Sequence, residues 1–178
     1  MTVFLENLLN DGTLELFKTK LLHSTTTTTD LDSSIAPPIY VDFGLSDGKD
    51  TKFHLSKGNS TVSVDAYTPW IDKAKNEFQQ EIKDGRALFF NIGVSTKDED
   101  SMNLYFKNEG SAPSKGCQGF KVTSPTCKHI KIPVVRCEAI LALIGMAATF
   151  VKVDVEMLHH SCVRDLSNLP TYLLPKII

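Results

Sequence analysis

The chain has 178 residues, of which 42% are hydrophobic, and a net charge of −2. This is enough apolar sequence for one domain with its own core, and the small net charge provides no basic field for a nucleic acid. The longest apolar run, residues 139–151, is too short to cross a bilayer, and the N-terminus lacks the basic start of a signal peptide. We therefore expect a cytoplasmic protein with no nucleic-acid or membrane partner.

Hydrophobic spacing divides the chain into an N-terminal segment, residues 1–36, and a main domain, residues 37–178. Residues 1–22 are predicted helical with a break at residues 11–12, and the threonine-rich stretch after them is predicted to be a linker. Strands are predicted at 39–45, 61–66, 87–94, 102–106, 130–136, 150–155 and 173–178, and helices at 48–55, 69–82, 138–148 and 159–166. This alternation predicts an α/β fold, a doubly wound, mostly parallel Rossmann-like sheet with helices on both faces.

Two further expectations concern pairing. Residues 102–106 are predicted to form a hairpin with the strand at 87–94, and residues 109–127 to form a long surface loop. The four cysteines, Cys117, Cys127, Cys137 and Cys162, lack the C-x-x-C spacing of a zinc site. We therefore predict no metal site and free thiols in a reducing setting, with a Cys117–Cys127 pair as the alternative in an oxidising compartment.

The most informative segment is the strand that ends in a glycine-bearing turn, Ile39-Tyr-Val-Asp-Phe-Gly-Leu-Ser-Asp-Gly48. A second strand ends on Asp65, 23 residues after Asp42. In doubly wound sheets such a turn lets the backbone approach a nucleoside cofactor, and the acid after the next strand accepts hydrogen bonds from its ribose. The turn lacks the G-x-G-x-x-G spacing of dinucleotide enzymes, which favours S-adenosylmethionine over NAD.

Polar residues also follow two later strands, where Asn91 precedes Gly93 and Asp154 precedes Glu156. Residues i and i+2 of a strand point to the same side, so Asp154 and Glu156 are predicted to lie together and to bind an amine, a hydroxyl or a metal. Their mutual repulsion would suit a general base. His159 is either a base beside the substrate or a solvated helix cap, and each carboxylate taken alone is also compatible with a helix N-cap.

Four segments, in this order, resemble the FkbM-type methyltransferases, a branch of the class I S-adenosylmethionine-dependent fold. They are Val41-Asp-Phe-Gly-Leu-Ser-Asp-Gly48, Val62-Ser-Val-Asp-Ala-Tyr-Thr-Pro69, Phe89-Phe-Asn-Ile-Gly-Val-Ser95 with the charged turn at 97–100, and residues 132–143 with Val151-Lys-Val-Asp-Val-Glu156. The resemblance covers residues 39–169. It departs from the family at Met157, where a glycine is usual, and the C-terminal hairpin that completes the family's sheet is missing. The last strand would then be an exposed apolar edge through which a homo-oligomer could form.

The resemblance implies S-adenosylmethionine-dependent methylation of a hydroxyl on a small molecule or sugar, with residues 110–127 closing over the site. It implies cofactor contacts at Asp42, Gly44, Leu45, Ser46, Gly48, Asp65, Ala66, Ile92 and Gly93, and catalytic roles for Asp154, Glu156 and His159. An NAD-dependent dehydrogenase is disfavoured because the chain lacks G-x-G-x-x-G and a Tyr-x-x-x-Lys pair, and an NTP-binding protein because no G-K-[ST] follows the turn. A truncated, inactive cofactor-binding or interaction module remains the alternative.

Overall fold

A computed structural model describes residues 12–23, 37–96, 101–106, 127–155 and 158–178, together with the backbone of residues 117–118 and 121–122. The elements in chain order are α1 (Thr13–His23), β1 (Ile39–Phe43), α2 (Lys49–Ser56), β2 (Ser60–Asp65), α3 (Thr68–Glu77), α4 (Gln79–Lys83), β3 (Ala87–Asn91), β4 (Gly93–Val94), β5 (Ser101–Phe106), β6 (Cys117–Gln118), β7 (Lys121–Val122), β8 (Lys128–Val135), α5 (Cys137–Ile144), β9 (Phe150–Val153), α6 (His159–Leu166) and a 3-10 turn (Thr171–Leu173). Predictions for residues 1–11, 24–36 and most of 107–126 lie outside the described residues.

The centre of the molecule is a four-stranded sheet in the order β3-β2-β1-β9, in which every pair is parallel. The predicted doubly wound α/β fold is therefore confirmed. The chain builds β1, β2 and β3 outward in one direction and then returns to place β9 on the other side of β1. This reversal creates a switch point between β1 and β9, and ligands of such sheets bind beyond the carboxyl ends of the strands at that point.

Helices cover both faces of the central sheet. Every residue of β1 is buried, as expected of a parallel strand that is covered on both sides. On one face, α1, α5 and α6 contribute side chains such as Phe17, Ile140 and Leu166 to a core that includes Val41. The other face packs beneath α2, α3 and α4, whose apolar residues form a second, smaller cluster. The N-terminal helix therefore shares the core of the main domain.

A second sheet begins where β3 passes through Ile92 into β4. In this sheet β8 lies between β4, to which it is parallel, and β5, to which it is antiparallel. The predicted hairpin between residues 87–94 and 102–106 is therefore wrong, because β8 takes the position between them. Each edge of an eight-residue strand can pair, and the local sequence of β5 does not reveal that its partner comes later in the chain.

Most element boundaries shift by one or two residues, and three elements differ more from the predictions. The helix expected at 69–82 is divided at Phe78, whose side chain is buried and stacks on Phe89 with ring centroids 5.9 Å apart. The helix expected to reach residue 148 ends at Ile144. The strand expected at 173–178 is a 3-10 turn followed by an extended segment, in which Ile177 makes one parallel bridge to Phe150.

The cysteines depart further from expectation. Cys137 at the start of α5 and Cys162 in α6 form a disulfide, and Cys127 is also disulfide-bonded. The prediction of free thiols is therefore wrong for these residues, because the two helices bring Cα atoms 25 residues apart in sequence to within 5.4 Å. Within the described ranges there is no group of three or more metal-binding side chains. Those ranges also contain no helix that is long and apolar enough to span a membrane.

Candidate functional site

The turn after β1 has a backbone that few residues tolerate. Gly44, Ser46 and Gly48 all have positive φ values, of 99°, 51° and 79°. A Cβ on Gly44 would collide with the carbonyl oxygen of Asp154, so glycine is required there both by conformation and by space. Ser46 is a non-glycine residue in the left-handed region, a strained arrangement that tends to occur at binding and catalytic sites.

Asp65 connects this turn to the end of β2. Its carboxylate accepts a hydrogen bond from the backbone N–H of Ser46, at 3.0 Å, and another from that of Tyr67, at 2.7 Å. Burial raises the pKa of Asp65 despite these two hydrogen bonds, which favour the ionised form. The Asn91 side chain donates to the Asp65 carbonyl at 3.1 Å and braces the same strand end. Each carboxylate oxygen retains a second lone pair that can accept a ligand hydroxyl.

Asp42 lies one strand away and is completely buried, with 0% of its surface exposed. It stands opposite Lys152 in the parallel register of β1 and β9, and the Lys152 Nζ lies 3.4 Å from its Oδ1. Among the described residues, neither Asp42 oxygen has a partner with hydrogen-bond geometry. Burial raises the pKa of Asp42 to about 7, and Lys152 offsets part of that rise. Asp42 thus belongs to the site, but a ligand cannot reach its carboxylate in this conformation.

Lys152 is the accessible member of this pair, with 32% of its side chain exposed. Its Nζ also lies 2.9 Å from Asp50 at the start of α2 and 3.7 Å from Asp154 just after β9. Burial acts to lower the pKa of Lys152, but the hydrogen bond to Asp50 and the nearby carboxylates outweigh it and raise the pKa. We call the region at the carboxyl ends of β1 and β9, around Lys152, the switch-point crevice.

Sequence reasoning assigned no role to Lys152 or Asp50. One signal was present, because a lysine within the otherwise apolar strand Phe150-Val-Lys-Val requires a charged partner.

Two aromatic rings pack together on the same face of the sheet as Asp42 and Lys152. The ring of Tyr40 stacks on that of His54 with centroids 3.7 Å apart, and burial lowers the pKa of His54.

Two of the predicted cofactor residues, Leu45 and Ile92, have side chains buried in the core. Leu45 and Ile92 are 2% and 1% exposed and belong to the apolar clusters on opposite faces of the sheet. Gly93 is buried and pairs with Val134 in the second sheet. Ala66 is partly buried beside the β5–β8 pair. Any contact of Leu45 or Ile92 with a ligand would therefore be made by the backbone.

The structure describes two of the three predicted catalytic residues, Asp154 and His159. Asp154 is exposed at the crevice, with its side chain 73% accessible and its N–H bonded to the Phe43 carbonyl at 2.8 Å. Glu156 lies outside the described residues. His159 begins α6 and is exposed, with its ring 4.2 Å from that of His160. Because Glu156 lies outside the described residues, the grouping of Asp154 with Glu156 and His159 remains a prediction.

A shallow groove lies next to the crevice, between α2 and α3. Lys52 contacts Glu77 at 2.8 Å and Lys49 forms an ion pair with Asp47, whereas the Nζ of Lys73 lies 5.5 Å from the centroid of the Trp70 ring. Three lysines and two acids line the groove, so it carries a small net positive charge. Its lining consists of Asp47, Gly48, Lys49, Lys52, Lys73 and Glu77.

Comparison with known proteins adds no assignment. No protein-family model matches the chain, and no curated protein matches it significantly. The resemblance to FkbM-type methyltransferases therefore rests on the four quoted segments and remains a prediction.

Proposed function

We propose that this protein is an S-adenosylmethionine-dependent methyltransferase that methylates a hydroxyl group of a small molecule or sugar. The observation that supports this best is the charge at the switch-point crevice. Asp42, Asp50 and Asp154 surround the single ammonium group of Lys152 within 3.7 Å, and Asp65 adds a further carboxylate at the next strand end. The crevice is therefore acidic, even with Asp42 only partly ionised at neutral pH.

This charge separates the candidate cofactors. NAD and nucleoside triphosphates carry phosphate groups that the carboxylates of the crevice would repel. S-adenosylmethionine carries a sulfonium cation and a zwitterionic amino-acid end, and its net positive charge complements an acidic crevice. The glycine turn and the free lone pairs of Asp65 suit its nucleoside half, as they would suit that of any nucleoside. The fold alone does not distinguish these ligands, and the charge of the crevice favours S-adenosylmethionine.

Methyl transfer from such a donor is an in-line displacement. The bond between sulfur and the methyl carbon breaks while the acceptor oxygen forms its bond to that carbon, and the acceptor's hydroxyl proton passes to a base. The protein contributes by aligning the two partners and by excluding water. Among the described carboxylates that contact Lys152, Asp154 is the most exposed and is our candidate for orienting the acceptor and taking its proton, with Glu156 and His159 as the further candidates.

The proposal is tested by calorimetric titration of the purified chain with S-adenosylmethionine, with NAD as the control. We expect micromolar binding to S-adenosylmethionine alone, after which a screen of hydroxyl acceptors would identify the substrate. A folded chain that binds neither compound would refute the proposal. Binding without turnover on any acceptor would favour the inactive cofactor-binding module instead.

The cellular setting and self-association are separate parts of the proposal. A cytoplasmic location remains a prediction, and the Cys137–Cys162 disulfide counts against it because such bonds are rare in reducing compartments. Alkylation of the protein taken from its own cells without reductant, followed by mass measurement, counts the free thiols. Free thiols are expected in the reducing cytoplasm, and blocked cysteines in an oxidising compartment. Self-association through the C-terminal edge would involve Ile177 and Ile178, which are 54% and 50% exposed, and light scattering tests it directly.

A further inference from the structure

The cluster around Lys152 contains an ammonium group with unused binding capacity. An ammonium group has three donors, and Asp50 accepts from one of them at 2.9 Å. The distances to Asp42 and Asp154, 3.4 and 3.7 Å, exceed the 2.7–2.9 Å of a charge-assisted hydrogen bond. Lys152 is thus held in place electrostatically and can still donate a short hydrogen bond to a ligand anion.

Burial decides which groups a ligand can touch. Asp42 is inaccessible, whereas the side chains of Lys152, Asp50 and Asp154 are 32%, 55% and 73% exposed. Asp42 therefore lies behind Lys152, where a ligand cannot reach it, and adds to the effect of Asp50 in raising the pKa of the ammonium group. The sequence assigned ligand contact to Asp42, but the structure gives the accessible position to Lys152.

The accessible groups present alternating charge, because the ammonium group of Lys152 lies between the carboxylates of Asp50 and Asp154. A simple anion at Lys152 would be repelled by both flanking carboxylates. A ligand that carries a carboxylate and an ammonium group on one carbon can satisfy both kinds of charge together. We propose that Lys152 is a specificity-determining residue that binds the carboxylate of the ligand's amino-acid end. The ammonium group of the ligand is then directed toward Asp50 or Asp154. This inference rests on the proposed function and extends it to one residue.

The test uses two ligands that differ in this carboxylate alone, S-adenosylmethionine and its decarboxylated form. By calorimetry at fixed pH and salt, we expect the unmodified chain to bind S-adenosylmethionine more tightly by about tenfold or more, since one charge-assisted hydrogen bond is lost without the carboxylate. Lys152→Met should weaken binding of S-adenosylmethionine by a similar factor. It should leave binding of the decarboxylated form unchanged or make it tighter, because that ligand carries more positive charge.

Two further variants serve as controls. Lys152→Arg keeps the charge and should retain at least part of the preference for the carboxylate, whereas Lys57→Met removes an exposed lysine after α2 and should behave as the unmodified chain does. Circular dichroism confirms that each variant is folded. Equal weakening of both ligands by Lys152→Met, or no weakening of either, would overturn the role of Lys152.

The unmodified chain provides an independent test that does not depend on a variant folding. If it binds the decarboxylated form as tightly as S-adenosylmethionine, the role of Lys152 is refuted while the proposed function stands. If it binds neither ligand, the proposed function fails and the role of Lys152 fails with it. The two failures are therefore distinguishable in one set of titrations.

Discussion

Replacing Asp42 with asparagine should change how the stability of the protein depends on pH. The Asp42 carboxyl is fully buried, and its pKa rises from 3.8 to about 7 on folding. Below pH 4 it is protonated in both the folded and the unfolded chain. Between pH 4 and pH 7 the unfolded chain loses this proton while the folded chain keeps it, so the free energy of unfolding falls as pH rises through this window.

The size of the effect follows from the shift. A difference of about three pKa units corresponds to about 4 kcal/mol, of which about 3 kcal/mol is lost between pH 5 and pH 8. Asparagine keeps the shape of the side chain and does not ionise, so Asp42→Asn should lack this loss. Above pH 8 the variant should be the more stable protein by up to about 4 kcal/mol, because the raised pKa of Asp42 already includes the attraction of Lys152.

Urea denaturation at a series of pH values from 5 to 8.5 measures both quantities. The difference between the two proteins isolates Asp42, since His54 and Asp65, whose pKa values also shift on folding, are present in both. Asp72→Asn, which removes an exposed carboxylate on α3, is the matched control. Parallel pH profiles for the unmodified chain and Asp42→Asn would show that the folded protein does not hold Asp42 in the strongly desolvated state described above.

Three other substitutions test the site and its frame. Asp65→Ala should abolish S-adenosylmethionine binding and cost about 1–3 kcal/mol of stability in denaturant titrations, because two backbone N–H groups lose their acceptor; unchanged affinity would remove Asp65 from the site. Gly44→Ala should lower stability by about 3 kcal/mol through its left-handed backbone and its collision at the next strand. Gly58→Ala, also at positive φ but in open space, should cost clearly less, and equal losses would contradict the close approach. Cys137→Ser should cost about 3 kcal/mol and make thermal unfolding less sensitive to reductant, with the disulfide at Cys127 accounting for the response that remains. An undiminished response to reductant in this variant would count against the Cys137–Cys162 bond.

Many of the strands and helices could be predicted from the local pattern of apolar and turn residues. The buried strands β1 and β2 are short apolar runs bounded by turn residues, and the helix at His159–Leu166 has the predicted bounds. The glycine turn could be found because a left-handed backbone selects glycine, whatever surrounds it. Asp65 could be placed at a strand end because the strand before it was recognisable.

Pairings between distant segments could not be predicted in this way. Nothing in the sequence of β5 indicates that β8 separates it from β4, because either strand offers a suitable apolar partner. The Cys137–Cys162 bond likewise depends on how α5 and α6 pack over the sheet. In both cases the contact joins segments that are far apart in the chain. The hydrophobic pattern within each segment is local and does not indicate its distant partner.

The sequence by itself therefore determined the class of fold, the glycine turn and the acids at the strand ends, because each depends on neighbouring residues. Only the tertiary structure decided what Asp42 does. The parallel register of β1 and β9 sets Lys152 opposite it, across more than a hundred residues of chain, and α2 adds Asp50 to the same ammonium group. The charge of a buried carboxyl depends on its partner and its exposure, and both are properties of the packed molecule.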